Sequence, residues 1–250
     1  MRSAPLTACL SAALFACSPR ATPAPEGAAS PPEPPGWQSL FAGGSLAEWR
    51  GYCRPSVPGG WVAEDGVLHL KAPGTDQPNA ARADLITRGE YENFELALEW
   101  KISEGGNSGI FFLAPEHCGG GGQAEAPIFE SAPEMQILDN ERHPDAKLGV
   151  NGNRQAGSLY DLIPASPQNA RPAGEWNQVE IQVDHGRVSF RQNEQTVVEY
   201  ELGTPDFQAR VAASKSKGSR GFIDPARRGH IGLQDHGNEV WFRKIRIRER

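Results

Sequence analysis

In FELALEWKI, residues 94–102, apolar side chains recur at every second position. Phe94, Leu96, Leu98, Trp100 and Ile102 share one face, and Glu95, Glu99 and Lys101 share the other. A period of two fits a strand buried on one side only. The same pattern returns in short runs along the chain. GWVAEDGVLHL holds Asp65-Gly66 between two apolar stretches, which predicts a tight hairpin. EWNQVEIQVDHGRVSFRQNEQTVVEYEL reads as three strands and two turns, with Val179, Ile181, Val183, Val188 and Phe190 facing inward. In EVWFRKIRIRE, Val240 and Phe242 differ in parity from Ile245 and Ile247, so a bulge is expected near Arg243. No run of ten or more residues has helical period. With 28 glycines and 21 prolines punctuating the runs, the chain is expected to be all-β, a single sandwich. Two stretches, 114–132 and 213–229, read as long loops of the kind that carries function.

The N-terminus reads differently. Residues 1–17 carry one arginine and an apolar stretch from Leu6 to Ala16, too short to span a bilayer, and are expected to be a secretory signal. Leu14-Phe15-Ala16-Cys17 resembles a bacterial lipoprotein cleavage site, with Cys17 the lipidation candidate. Ordinary signal cleavage is the alternative, because Phe15 is bulky for that pattern. Residues 18–36 form a Pro/Ala-rich linker, and the domain is expected over 37–250. Localisation in a bacterial cell envelope follows, with membrane attachment only through the lipid. Cys53 and Cys118 are then either one disulfide or two unpaired loop thiols. A net charge of −6 argues against nucleic acid as a partner. The residues carry no signal of oligomeric state.

Candidate chemistry concentrates in three places. In PEMQILDN, Met135 and Ile137 suit a core, so Glu134 and Gln136 project from the opposite face about 7 Å apart. Asp139 and Asn140 end that strand, where they either reach the rim of a groove or form an Asx turn. In GHIGLQDHGNEVWF, Gln234 and His236 oppose Ile231 and Leu233. His236 is a base candidate near neutrality or a turn residue. Asn107 binds ligand or caps a turn, and Tyr160 in GSLYDLI is a proton donor, a sugar-stacking ring or a core-edge tyrosine.

Taken in order, FELALEWKISEGGNSGIFF, PEMQILDN, GSLYDLIPA, GEWNQVEI and GHIGLQDHGNEVWFRKIRI resemble the bacterial 3-keto-disaccharide hydrolase family from about Trp37 to Arg248. The chain departs from the family pattern most in a glycine-rich insertion at 117–126 and a basic segment at 215–228. The resemblance implies a concanavalin A-like jelly roll of two antiparallel sheets. It also implies a carbohydrate partner: glycosides whose sugar is a ketone at C3.

An ordinary glycosidase flanks the scissile bond with two carboxylates. The strand bearing Glu134, Gln136 and Leu138 presents one acid, which suits that chemistry poorly. A 3-keto sugar demands less, because the ketone acidifies the C2 hydrogen and one base can start elimination of the C1 substituent. Hydration of the product then gives net hydrolysis, and stopping before it gives a lyase. The expected roles are Glu134 or His236 as base, Gln136, Asn107, Asp139 and Gln234 as substrate contacts, and Tyr160 assisting the leaving group. No cofactor is required. A divalent metal on Glu134, His236 and Asp139 is the alternative way to polarise the ketone. The competing functions are a non-catalytic carbohydrate-binding module and a structural envelope lipoprotein.

Overall fold

The computed structural model describes Met1 and residues 33–73, 82–120 and 124–250. Apart from Met1, the expected signal segment with Cys17, and all of the linker before Glu33, lie outside the described residues. So do three residues of the glycine-rich insertion, 121–123.

Alternation resolves into two antiparallel sheets. The larger runs in the order β11 (Gln195–Glu201), β10 (Arg187–Gln192), β9 (Asn177–Asp184), β6 (Phe94–Ile102), β13 (Val240–Glu249), β4 (Val67–Leu70) and β3 (Trp61–Glu64). The two-residue β1 (Gln38–Ser39) pairs with β13. The smaller sheet runs β2 (Trp49–Gly51), β5 (Leu85–Thr87), β12 (His230–Leu233), β7 (Asn107–Ala114) and β8 (Glu134–Leu138). The inward faces meet in one core. Leu96, Trp100, Ile181, Phe190 and Phe242 of the larger sheet pack with Ile110, Phe112, Met135, Ile137 and Ile231 of the smaller. Phe112 meets Phe190 edge-on across the gap, with ring centroids 5.6 Å apart.

The local expectations can be followed residue by residue. The β3–β4 hairpin turns at Asp65 and Gly66, both with positive φ, as a two-residue turn of matching twist requires. The β13 register against β6 shifts between Arg243 and Arg246, and Lys244 takes φ 53°. That bulge lets Val240, Phe242, Ile245 and Ile247 all reach the core despite their mismatched parity. One helix escaped the periodicity. α1 (Pro205–Ala213) has nine residues, begins with Pro205 after the Thr204 cap, and buries Phe207 and Val211 one turn apart. It is shorter than the window in which a helical period stands out.

Candidate functional site

The outer face of the smaller sheet carries what its core face rejects. Glu134 and Gln136 turn away from the core, and the register places Gln136 opposite Gly109 and Glu134 opposite Phe111. Glu134 leans into the space over Gly109: a Cβ there would lie 2.0 Å from the Glu134 Oε1. The chain beyond β8 returns alongside it. Gln136 N–H donates to the Ser158 carbonyl, Gly157 N–H to the Gln136 carbonyl, and Tyr160 N–H to the Glu134 carbonyl, at 3.0, 2.8 and 3.0 Å. Tyr160 is thereby held next to Glu134. On the other side, Gln234 N–H donates to the Gly109 carbonyl at 2.9 Å, and Ser108 Oγ donates to the Gln234 carbonyl at 2.9 Å.

These side chains line one cavity of about 900 Å³, near the top of the size range usual for small-molecule sites. Asn107, Glu134, Gln136, Tyr160, Gln234 and His236 all border it. Its walls come from the two long loops, within 127–132 and 215–222. The loops touch: a Cβ on Gly221 of the one-turn helix α2 (Arg220–Ile223) would lie 2.2 Å from the Ser131 carbonyl oxygen. A second apolar cluster, including Phe111, Ile128, Ala132 and Ile86, seats the first loop on the outer sheet face. Cys53 and Cys118 are joined as a disulfide with Cα atoms 5.5 Å apart, which ties that loop to the chain just after β2. Glu116 reinforces the tie by accepting from Arg50 Nη1 and Nη2 at 2.5 and 2.8 Å and from the Cys53 amide at 2.6 Å. Phe129 stands on this wall half-exposed.

The electrostatics are unusual at the floor. Burial lifts the Glu134 carboxyl to a pKa of about 8; nearby Lys215 opposes the rise, and Asp84 and Asp145 add to it. No hydrogen bond reaches its carboxyl group from the described residues. Three buried oxygens of cavity-lining residues also lack a partner among the described residues: Asn107 Oδ1, Gln234 Oε1 and Asp235 Oδ2. Asn107 and Gln234 are themselves more than nine-tenths buried. Buried acceptors left open at a cavity wall are costly unless a ligand's hydroxyl or amide groups satisfy them. Gln136 Oε1 accepts from the Ile137 amide, which leaves its NH₂ as the donor toward the cavity.

The remaining candidates take other positions. Asp139 does not border the cavity. Its oxygens accept from the amides of Gly105, Glu141 and Arg142 at 2.8, 3.1 and 3.3 Å. Burial alone would raise its pKa, but these amides and Arg142 hold it below the ordinary value. Asn140 likewise accepts from the Ala156 amide. Asp139 thus caps the turn after β8, Asn140 tethers the chain at Ala156, and the Asp139 carboxylate is engaged outside the cavity that Glu134 and His236 border. Among the described residues the one tight group of three potential metal donors is Cys53, Glu116 and Cys118, and two of these are spent on the disulfide. Tyr160 donates its hydroxyl proton to Asp145 Oδ2 at 2.7 Å and accepts from Lys215 Nζ at 2.7 Å. Burial and Asp145 push its pKa far upward, so the phenol is a holder of Lys215 and a poor acid. His236 sits exposed at the lip, in an Asx turn in which Gly237 N–H donates to Asp235 Oδ1. Its ring lies 6.2 Å from that of His143.

Among the residues lining the cavity that the sequence did not single out as site candidates are Asp84, Asp235, Lys215 and Phe129. Asp84 precedes the three-residue β5, too short for alternation to assign a face, and Asp235 shares the parity of the apolar Ile231 and Leu233, which hides it as a site residue. Lys215 is one of several cations in a loop, and nothing in its neighbours marks it.

Two antiparallel sheets packed face to face, with an open polar cavity on one outer face, form a β-sandwich of the jelly-roll class. A protein of unknown function with a galectin-like fold from Bacillus subtilis superposes with a TM-score of 0.50 at 14% identity, over 85% of this chain and 94% of that one. Within that class the chain belongs to the family described as the 3-keto-alpha-glucoside-1,2-lyase-like domain, whose model matches residues 36–248. It is 43% identical over 231 residues to the 3-keto-disaccharide hydrolase of Bacteroides thetaiotaomicron, covering 87% of this chain and 80% of that protein. A Parabacteroides distasonis protein provisionally assigned as a glycosyl hydrolase matches with a TM-score of 0.73 at 27% identity, covering 86% and 94%.

Proposed function

We propose that this protein cleaves 3-keto-glycosides in the cavity over β7 and β8, by loss of the C2 proton, elimination of the C1 substituent and hydration of the product. The observation that carries this reading is Glu134: a buried carboxyl without a cationic hydrogen-bond partner among the described residues, at the floor of a cavity where the amide oxygens of Asn107 and Gln234 lack donors. With a pKa of about 8 it carries a proton at neutral pH. It therefore enters the cycle as the acid that protonates the departing oxygen, the role a raised carboxyl fills elsewhere.

The rest of the cavity binds and orients. Asn107 Oδ1 and Gln234 Oε1 accept from sugar hydroxyls, and the Gln136 NH₂ donates to the ketone oxygen as it gains charge. Lys215, fixed on Tyr160, adds positive charge near the same region. Phe129 offers its ring face to the leaving group. The 43% identity to a hydrolase of 3-keto-disaccharides supports the substrate class. A disulfide fits an oxidising compartment, which supports the envelope location expected from residues 1–17, with Cys17 as anchor.

The test is incubation with a 3-keto-glucoside and with its unoxidised parent. Alcohol release from the first alone is expected. Saturable binding of either sugar with no release would instead make the protein a binding module. For the anchor, metabolic labelling with a fatty acid that disappears in Cys17→Ala is expected, and unlabelled protein would reject it.

A further inference from the structure

Two aspartates border the cavity beside each other, and their surroundings divide them. Asp235 Oδ1 is held by Arg82, from Nη2 at 2.5 Å and Nε at 3.1 Å, and by the Gly237 amide at 3.1 Å. Asp84 receives a single hydrogen bond, on Oδ1 from the Asp235 amide at 2.8 Å, and no cation pairs with it among the described residues. Arg82 is thus spent on one aspartate, and the other keeps Oδ2 open where both line the cavity. Asp84 directly precedes β5, whose Leu85 pairs with Leu233 of β12, so it is fixed to the sheet that carries Glu134. The unpartnered Gln234 Oε1 adjoins Asp235 in sequence and borders the same space.

We propose that Asp84 is a second catalytic residue, the base that removes the C2 proton of the bound 3-keto sugar; this deepens the reaction proposed above and rests on it. Burial, helped by the charge of Asp235, lifts Asp84 to a pKa of about 6, so it is ionised at neutral pH and still a usable base. The other charged and titratable groups lining the cavity are Arg82, Glu130, Glu134, Tyr160, Lys215, Lys217, Asp235 and His236. None of them suits the task. Arg82, Lys215 and Lys217 are cations, Asp235 is clamped by Arg82, Tyr160 gives its proton to Asp145, Glu134 is protonated, and Glu130 and His236 lie exposed.

The steps balance. Asp84 takes the C2 hydrogen as a proton, and the C–H electrons form C2=C3 with the ketone oxygen as enolate. Those electrons return, C1=C2 forms, the C1–O bond breaks, and the departing oxygen takes the Glu134 proton. Water then adds at C1 and gives its proton to Glu134, while Asp84 returns its own to C2. Both carboxyls are restored, and the net reaction is hydrolysis.

The experiment follows C2–H exchange and alcohol release by NMR in deuterated buffer, with the whole protein and a methyl 3-keto-glucoside. Asp84→Asn is expected to lose both by about 10²–10⁴-fold. Glu134→Gln should lose release and keep exchange, and His236→Ala should keep both within about tenfold. Exchange retained in Asp84→Asn, or lost in His236→Ala alone, overturns the assignment. Should Asp84→Asn fail to fold, the wild-type exchange rate decides: it should fall below a pH of about 6, and a rate level well below that value overturns the proposal. Wild-type protein that neither exchanges nor releases overturns the reaction, and the assignment with it.

Discussion

Glu99 and Glu134 are each 6% exposed and stand on the outer faces of opposite sheets. On the larger sheet, Glu99 accepts from Arg243 Nε at 2.6 Å and Lys244 Nζ at 2.7 Å, with Gln178 at 3.4 Å. Burial pushes its pKa up, the two cations outweigh that, and the carboxylate stays below its ordinary value. Neighbouring Glu95 is matched in the same way by Arg248 and Arg250. Glu134 meets burial without such partners and rises to about 8. A shallower carboxyl held by two cations is therefore an inert ion pair on one face, and a deeper one without them keeps its proton on the other. Depth and partner placement together separate scaffold from site.

The comparison breaks most visibly in activity. Glu134→Gln should cut turnover of a 3-keto-glucoside by about 10²–10⁴-fold, whereas Glu99→Gln should leave it within a few-fold. Equal losses would mean that both glutamates are structural. The next effect comes from Gly109→Ala. Its methyl group would occupy the space of the Glu134 carboxyl, and a displacement of about 1 Å should cost on the order of 10²-fold in kcat with the fold retained. Unchanged kcat would show that the carboxyl does not act from where it lies.

Stability should separate the two faces by pH. Native Glu134 keeps its proton to a pH of about 8, while an ordinary carboxyl loses it near 4.5. Across that window the native state binds more protons than the unfolded one, so stability falls as pH rises. Glu134→Gln removes this slope, and above neutrality the variant should be more stable than wild type by on the order of 2 kcal/mol. Glu99 runs the other way. Its contribution is present above the ordinary carboxyl value and is lost on acidification, so Glu99→Gln should cost about 1–2 kcal/mol at neutrality and little in acid, given its partly solvated cations. Thermal melts across a pH series would show parallel curves if this contrast is wrong. Opening the disulfide with Cys53→Ser and Cys118→Ser removes a crosslink over 65 residues. About 2–4 kcal/mol of stability should go with it, and KM should rise more than kcat falls, because the wall and not the floor is released. The smallest effect is Phe129→Ala, a several-fold rise in KM for bulky leaving groups and none for a methyl glycoside.

Most of the scaffold was legible because alternation is dense where strands are long. β6, β9 and β10 declare their inward residues, and β13 declares its bulge through a change of parity. The floor of the site was legible for the same reason: five residues of β8 are enough to set Glu134 and Gln136 against Met135 and Ile137. The walls were not. Asp84 precedes a strand of three residues, Asp235 shares the parity of Ile231 and Leu233, and Lys215 sits in a loop whose course is fixed by contacts such as Gly221 on Ser131. Asp139 misled because an acid at a strand's end reads alike whether it faces a groove or caps a turn. The three amides it accepts decide between them.

The return of residues 157–160 along β8 has a further consequence. In the smaller sheet β8 has a strand neighbour on one side only, and an uncovered strand edge invites pairing with another molecule. The peptide groups of Glu134 and Gln136 that would offer such a template are already engaged by Gly157, Ser158 and Tyr160. The segment that sets the phenol beside the acid thus also guards against self-association, and loosening it would trade solubility along with chemistry.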